Sequence, residues 1–159
     1  TEGVFGLVRN KANTYKPVCE WAICLEDRIP YHAVPGGEDG GETIYIGRAV
    51  HNGSVIPGKV VPSHRCCYVS ADGAEHSHRE YQALVTESSQ FDWIPASDGF
   101  LPTGAVQGGS CVTGEPLYIG RTHHEGTLTI GKIHPSHHCL YIPYGGEEHC
   151  YKEYEALVC

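Results

Sequence analysis

Residues 41–85 read GETIYIGRAVHNGSVIPGKVVPSHRCCYVSADGAEHSHREYQALV, and 73 positions later residues 114–158 read GEPLYIGRTHHEGTLTIGKIHPSHHCLYIPYGGEEHCYKEYEALV, with 23 of 45 residues identical. Self-similarity of this kind marks a duplicated supersecondary unit. The duplication extends upstream at an offset of 72, where Trp21 matches Trp93, Pro30 matches Pro102 and Ala33-Val34 matches Ala105-Val106. One residue of slip therefore falls in the Gly-rich connection. The expected organisation is an N-terminal extension at residues 1–20, a first repeat at 21–86 and a second at 91–159, sharing one body because units this small are near the limit of independent stability.

Within each repeat the local chemistry is that of strands. Thr43-Ile44-Tyr45-Ile46 and Pro116-Leu117-Tyr118-Ile119 are β-branched and aromatic. Asn52-Gly53 and Glu125-Gly126 each separate two such runs, which signals a hairpin. The Asn52-Gly53-Ser54 sequence is also a glycosylation sequon, but the second repeat keeps only its Gly, which favours the turn. Residues 35–41, PGGEDGG, read as a loop from composition. The segments at 80–85 and 153–158 suit either a strand or one helical turn, and Val4-Phe5-Gly6-Leu7-Val8 suits a strand added to the duplicated body. No dozen-residue stretch carries a 3.6-residue apolar stripe. With 20 Gly and 10 Pro placing turns at short intervals, the expected class is all-β.

Charge and composition narrow the function. A net charge of −8 with Lys and Arg scattered singly argues against nucleic acid and anionic membranes as partners. No apolar run is long enough to cross a bilayer. Eight Cys without a Met give the expectation of a secreted product stapled by disulfides. Only Cys66 and Cys139 are equivalent between repeats, so the other six are additions to the shared scaffold. The paired Trp21 and Trp93 read as core anchors, with sugar stacking as the sharper alternative.

The features W-x11-A-V, a Gly-rich segment, G-E-x-x-Y-I-G-R, x-x-G-x-x-x-x-G-K and G-x-E-H-x-x-x-E-Y-x-A-L-V occur in both units. Together they resemble the DM9 repeat family across nearly the whole chain. The resemblance implies a pseudo-symmetric β-rich lectin that dimerises and binds mannose-type glycans on microbial surfaces, in innate immune recognition outside the cell. It also implies site residues: an Asp of the Gly-rich segment, falling on Asp39, and the Lys of the Gly-Lys motif, falling on Lys59. Glu38 is the alternative acceptor. In the second repeat the same positions are Cys111 and Lys132, so that site keeps its cation and loses its carboxylate. A carboxylate and an ammonium suit a hexose because they engage opposite ends of neighbouring hydroxyls.

Other readings compete with the lectin. Three His pairs recur between repeats, His51 with His124, His64 with His137 and His76 with His149, and recurrence points to scaffold roles. The segment containing His123, His134, His137 and His138 offers imidazole for zinc or copper, although its spacing matches no closed zinc motif. A His- and Cys-rich metal-binding or structural secretory protein is therefore one alternative, and a toxin-like, natterin-type component is another. Catalysis is not expected: there is no nucleophile elbow and no H-E-x-x-H helix, and Ser63-His64 and Ser136-His137 are chain neighbours. No cofactor is implied.

Overall fold

A computed structural model describes residues 19–25, 28–87 and 90–159. The apolar run at 4–8 lies outside the described residues. The first repeat supplies β1 (Glu20–Leu25), β2 (Pro35–Asp39), β3 (Glu42–His51), β4 (Ser54–Val61), β5 (Cys66–Ala71), β6 (Ala74–His78) and β7 (Glu80–Val85). The second supplies β8 (Asp92–Ser97), β9 (Gln107–Ser110), β10 (Pro116–His124), β11 (Thr127–His134), β12 (Cys139–Tyr144), β13 (Glu147–Tyr151) and β14 (Glu153–Val158). The fold is all-β and barrel-like, and its only helical elements among the described residues are two 3-10 turns, Pro62–His64 and Pro135–His137. Both closing segments are strands, paired with β1 and β8.

The repeats interlock instead of lying side by side. β2 pairs with its own β3 but also with β11 of the second repeat, through Leu128 and Glu38. Likewise β9 pairs with β10 and, through Val55 and Ser110, with β4. Adding the hairpins β3–β4 and β10–β11 closes a ring of strands in the order β3, β2, β11, β10, β9, β4. Ile44, Ile46, Ile119 and Ile130, drawn from both repeats, are fully buried in one cluster.

This interlock overturns the loop reading of residues 35–41. Gly residues there are needed for a close approach of backbones: a Cβ at Gly37 would lie 1.9 Å from the Leu128 carbonyl oxygen, and one at Gly109 would lie 2.0 Å from that of Val55. Glycine normally weakens a strand, yet here it is the residue that admits the neighbouring chain. The turn that follows locates the slip in register. Gly40-Gly41 joins Asp39 to Glu42 directly, whereas the second repeat inserts one more residue, closed by Cys111 N–H to Glu115 C=O at 2.8 Å.

Two hairpin turns behave as their sequences require. Asn52 and Gly53 take φ of 48° and 84°, and Glu125 and Gly126 take 48° and 82°, the left-handed pair that suits a two-residue hairpin. Trp21 is buried with the Arg48 guanidinium 4.2 Å above its ring, and Arg121 stands 4.1 Å from half-buried Trp93. Each Arg donates onward to the Gly-rich strand of the other repeat, Arg48 to Gly108 C=O and Arg121 to Gly36 C=O. The Trp of the first repeat is thus a core anchor, and the Y-I-G-R arginines are ties between repeats.

The cysteines correct an expectation. All eight are free thiols. Cys24 and Cys67 pack in one apolar cluster, and burial pushes the Cys139 thiol up to about 12 and that of Cys19 to about 11. The five buried thiols, Cys19, Cys24, Cys66, Cys67 and Cys139, serve as small core side chains.

Candidate functional site

Lys59 follows Gly58 on β4, a position where a Cβ would lie 2.0 Å from the Tyr68 carbonyl oxygen. That close approach to β5 draws the Lys inward, and only 3% of it is exposed. Its ammonium lies 3.8 Å from Glu75, 5.7 Å from the Tyr68 ring centre and 4.9 Å from that of Tyr144 in the other repeat. Burial lowers its pKa, against the opposing pull of Glu75 and Asp39. Asp39 therefore lies within electrostatic reach of Lys59. Glu38, its neighbour on β2, does not share that environment: it lines a separate groove of about 460 Å³ with Arg121, His123 and Thr127. Alternation along the strand puts the two carboxylates on opposite faces.

The second repeat builds a related but altered pocket of about 440 Å³. Lys132 is 8% exposed, lies 3.2 Å from Glu148 and donates to the Ser70 C=O at 2.7 Å. Cys111 and His134 line this pocket where the first repeat has Asp39 and Val61, and His51 and Asp72 enter it from the first repeat. The Cys111 sulfur is 3.8 Å from His134 Nε2, which also lies 3.0 Å from Glu115 Oε1. Burial lowers the His134 pKa and raises that of Cys111, so the thiol is not activated.

Two carboxylates next to the recurring His76 and His149 tie the repeats together. Glu75 Oε1 accepts from Gly146 N–H and Glu148 Oε1 accepts from Gly73 N–H, each at 3.0 Å. The two carboxylates that face the lysines therefore also tie each repeat to the turn of the other. Their recurrence beside His76 and His149 was visible, but a tie spanning more than 70 residues was not. Glu42 and Glu115 were not singled out at all, although both stand in the G-E-x-x-Y motif. Glu42 accepts from the amide and hydroxyl of Ser63, both at 2.7 Å, and Glu115 does the same for Ser136 at 2.9 and 2.7 Å. These serines are the middle residues of the 3-10 turns, and the two carboxylates hold them there. His64 and His137 contact the Tyr68 and Tyr141 hydroxyls at 2.7 and 2.9 Å, and His76 and His149 contact the carbonyls of Ala71 and Tyr144.

The four imidazoles weighed for a metal do not converge. His123 lies in the Glu38 groove, His138 occupies a left-handed position at φ 63° closing the 3-10 turn, and His134 and His137 stack face to face at 3.6 Å. Stacked rings aim their nitrogens past a common point. Among the described residues no three His, Cys, Asp or Glu side chains are placed to hold a metal ion.

Two pseudo-equivalent settings of a buried Gly-Lys ammonium among a carboxylate and tyrosine rings accord with the matching of the DM9 repeat family model to residues 38–151. The chain belongs to the DM9 repeat family. Its DM9 repeats are similar to those of natterins from Thalassophryne nattereri. Natterin-3 is 32% identical over 93 residues, which cover 57% of this chain and 23% of the natterin. Natterin-4 is 29% identical over 146 residues, covering 87% and 33% respectively. The chain thus spans a third or less of the curated relatives it matches. Among solved structures, the nematode sperm cell motility protein MFP2B superposes with a TM-score of 0.66 at 16% identity, over 94% of this chain and 50% of that one. At that identity the likeness concerns the fold alone.

Proposed function

We propose that this DM9 chain is an extracellular lectin that binds mannose-type glycans of microbial surfaces, without catalysis and without a cofactor. The observation that carries the reading is the Lys59 ammonium, held between Tyr68 and Tyr144 with Glu75 at 3.8 Å and Asp39 in reach. A hexose hydroxyl both donates and accepts, so it can donate to a carboxylate while accepting from the ammonium, and the two tyrosines offer apolar faces to the ring carbons. Such a site recognises neutral polyols better than anions because carboxylates surround its cation. Single-site affinity of this kind is low, and useful avidity on a glycan surface comes from several sites, which favours a homodimer with two pockets per chain.

A glycan array of the purified protein, run with and without a chelator, tests the reading. Binding to mannose-terminated glycans that survives the chelator supports it, and absence of any glycan binding refutes it. The natterin similarity favours a second reading, in which the chain serves as the recognition module of a larger toxin-like protein. Leakage of dye from glycolipid vesicles would be expected only when such a module is joined to further chain, and leakage caused by the isolated 159 residues would reassign activity to the DM9 unit itself.

A further inference from the structure

The two pockets differ in one contact that no motif predicts. His51 ends β3 and lines the Lys132 pocket. Its Nδ1 lies 3.1 Å from His78 Nε2 on β6, and its ring stacks on His76 at 3.9 Å. In the other repeat the counterparts are His124, Tyr151 and His149. There His124 Nδ1 meets the Tyr151 hydroxyl at 2.5 Å, with the ring 4.5 Å from His149. His78 thus stands where the second repeat has Tyr151, and His124 also has Glu125 at 3.4 Å and the Tyr144 ring at 4.8 Å where the positions matching them beside His51 are Asn52 and Ala71.

That exchange changes the response to acid. Two imidazoles 3.1 Å apart share one proton, one ring donating and the other accepting, and protonating both replaces the hydrogen bond with two facing N–H groups and two positive charges. A tyrosine hydroxyl meets no such conflict, since it accepts from an imidazolium as readily as it donates to an imidazole. We infer that His51 and His78 form a proton-operated latch on the wall of the Lys132 pocket, closed when both rings are neutral and released by acid, with no counterpart at the Lys59 pocket.

The surroundings set its direction. Facing His51 are His76 and His78 from β6, Asp72 from the turn before β6, and Lys132 from β11. Burial, with His76 and Lys132, lowers the His51 pKa against the pull of Asp72, and burial with His51 and His76 lowers that of His78. The latch is therefore closed above about pH 6.5, the ordinary imidazole value, keeps its hydrogen bond when the first proton makes one ring an imidazolium donor, and opens as pH falls further and the second ring is protonated. His134 and His137 line the same pocket, but His134 contacts Glu115 and the two rings stack on each other, and they are not part of the latch. Release frees the end of β3 and with it Asn52 and Asp72 at the pocket mouth. The consequence for a glycan rests on the function proposed above, whereas the latch itself does not.

The test is an NMR titration from pH 8 to 4.5 that follows the histidine ring protons and the backbone amides of Asn52 and Asp72. His51 and His78 should titrate in two separated steps below the ordinary range, with both amides following them, while the amides of Glu125 and Gly145 at the other pocket stay behind. In His78→Tyr, His51 should titrate in a single step and the Asn52 and Asp72 movements should vanish. Independent single steps in the unsubstituted protein, or amide movements unchanged in His78→Tyr, overturn the latch. His78→Gln serves if the Tyr variant does not fold, and the unsubstituted titration decides alone if neither folds. A second arm uses methyl α-mannoside with Lys59→Met, in which only the Lys132 pocket is intact: affinity should fall about tenfold from pH 7.5 to 5, within the usual range of coupled sites, and be flat when His78→Tyr is added. If the sugar binds nowhere at any pH, the lectin reading fails while the amide titration still decides the latch.

Discussion

Lys59 and Gly37 show what a single position contributes. Lys59 is legible in the sequence through the Gly-Lys motif and the family resemblance, not through its charge, since an isolated Lys is ordinarily a solvated surface group. Its burial follows from a glycine neighbour that lets two strands approach, and that approach is a property of the fold. Replacing Lys59 with Met removes the ammonium but keeps the stem, so we expect at least a tenfold loss of glycan binding at that pocket by calorimetry. Asp39→Asn should weaken the same binding while leaving the melting temperature within about 2 °C, because the amide keeps the shape of the half-buried carboxylate that ends β2. Gly37→Ala is expected to act in the opposite way. Its Cβ would meet a backbone oxygen that cannot rotate aside, so we predict a loss of about 1–3 kcal/mol, read as a melting temperature lower by several degrees.

Elements were legible wherever local propensity and turn chemistry agreed. The Y-I-G-R strands and both Xaa-Gly hairpins are set by residues within ten positions of one another, and they stand in the structure as their sequences indicate. β2 and β9 were not legible, because four glycines and a proline carry no strand signal of their own. They are strands on account of partners contributed by the other repeat. The same reasoning covers Tyr144, which reaches Lys59 from 85 positions away, and His134, whose segment was marked for its imidazoles but whose contacts with Cys111 and Glu115 were not foreseeable. Burial at β3, β6 and β11 also has a pH consequence. His51, His78 and His134 all have lowered pKa values in the fold, so the unfolded chain takes up protons first. Stability should be full above about pH 6.5 and decline as pH drops below it toward the folded values. Urea unfolding at pH 7.5 and 5.5 measures this, and a midpoint unchanged or higher at pH 5.5 would contradict it.

Interlocking governs the molecule as a whole. Because β2 and β9 each complete a ring begun by the opposite repeat, a fragment of residues 19–87 or 90–159 exposes unpaired strand edges and half of an apolar cluster. Neither fragment alone is expected to show cooperative unfolding, whereas an equimolar mixture should recover part of the native circular dichroism and melt as one unit. Independent folding of either fragment would mean that the contacts across the ring are dispensable.

The reciprocal carboxylates, Glu75 on the turn of Gly146 and Glu148 on the turn of Gly73, bear on descent. A lone ancestral repeat could satisfy that exchange only with an identical copy of itself, and every change in such a twin would have appeared in both pockets at once. Joining the copies in one chain released them from that symmetry. Asp39 against Cys111, Val61 against His134 and His78 against Tyr151 are differences that one chain with two copies can hold and a pair of identical copies cannot.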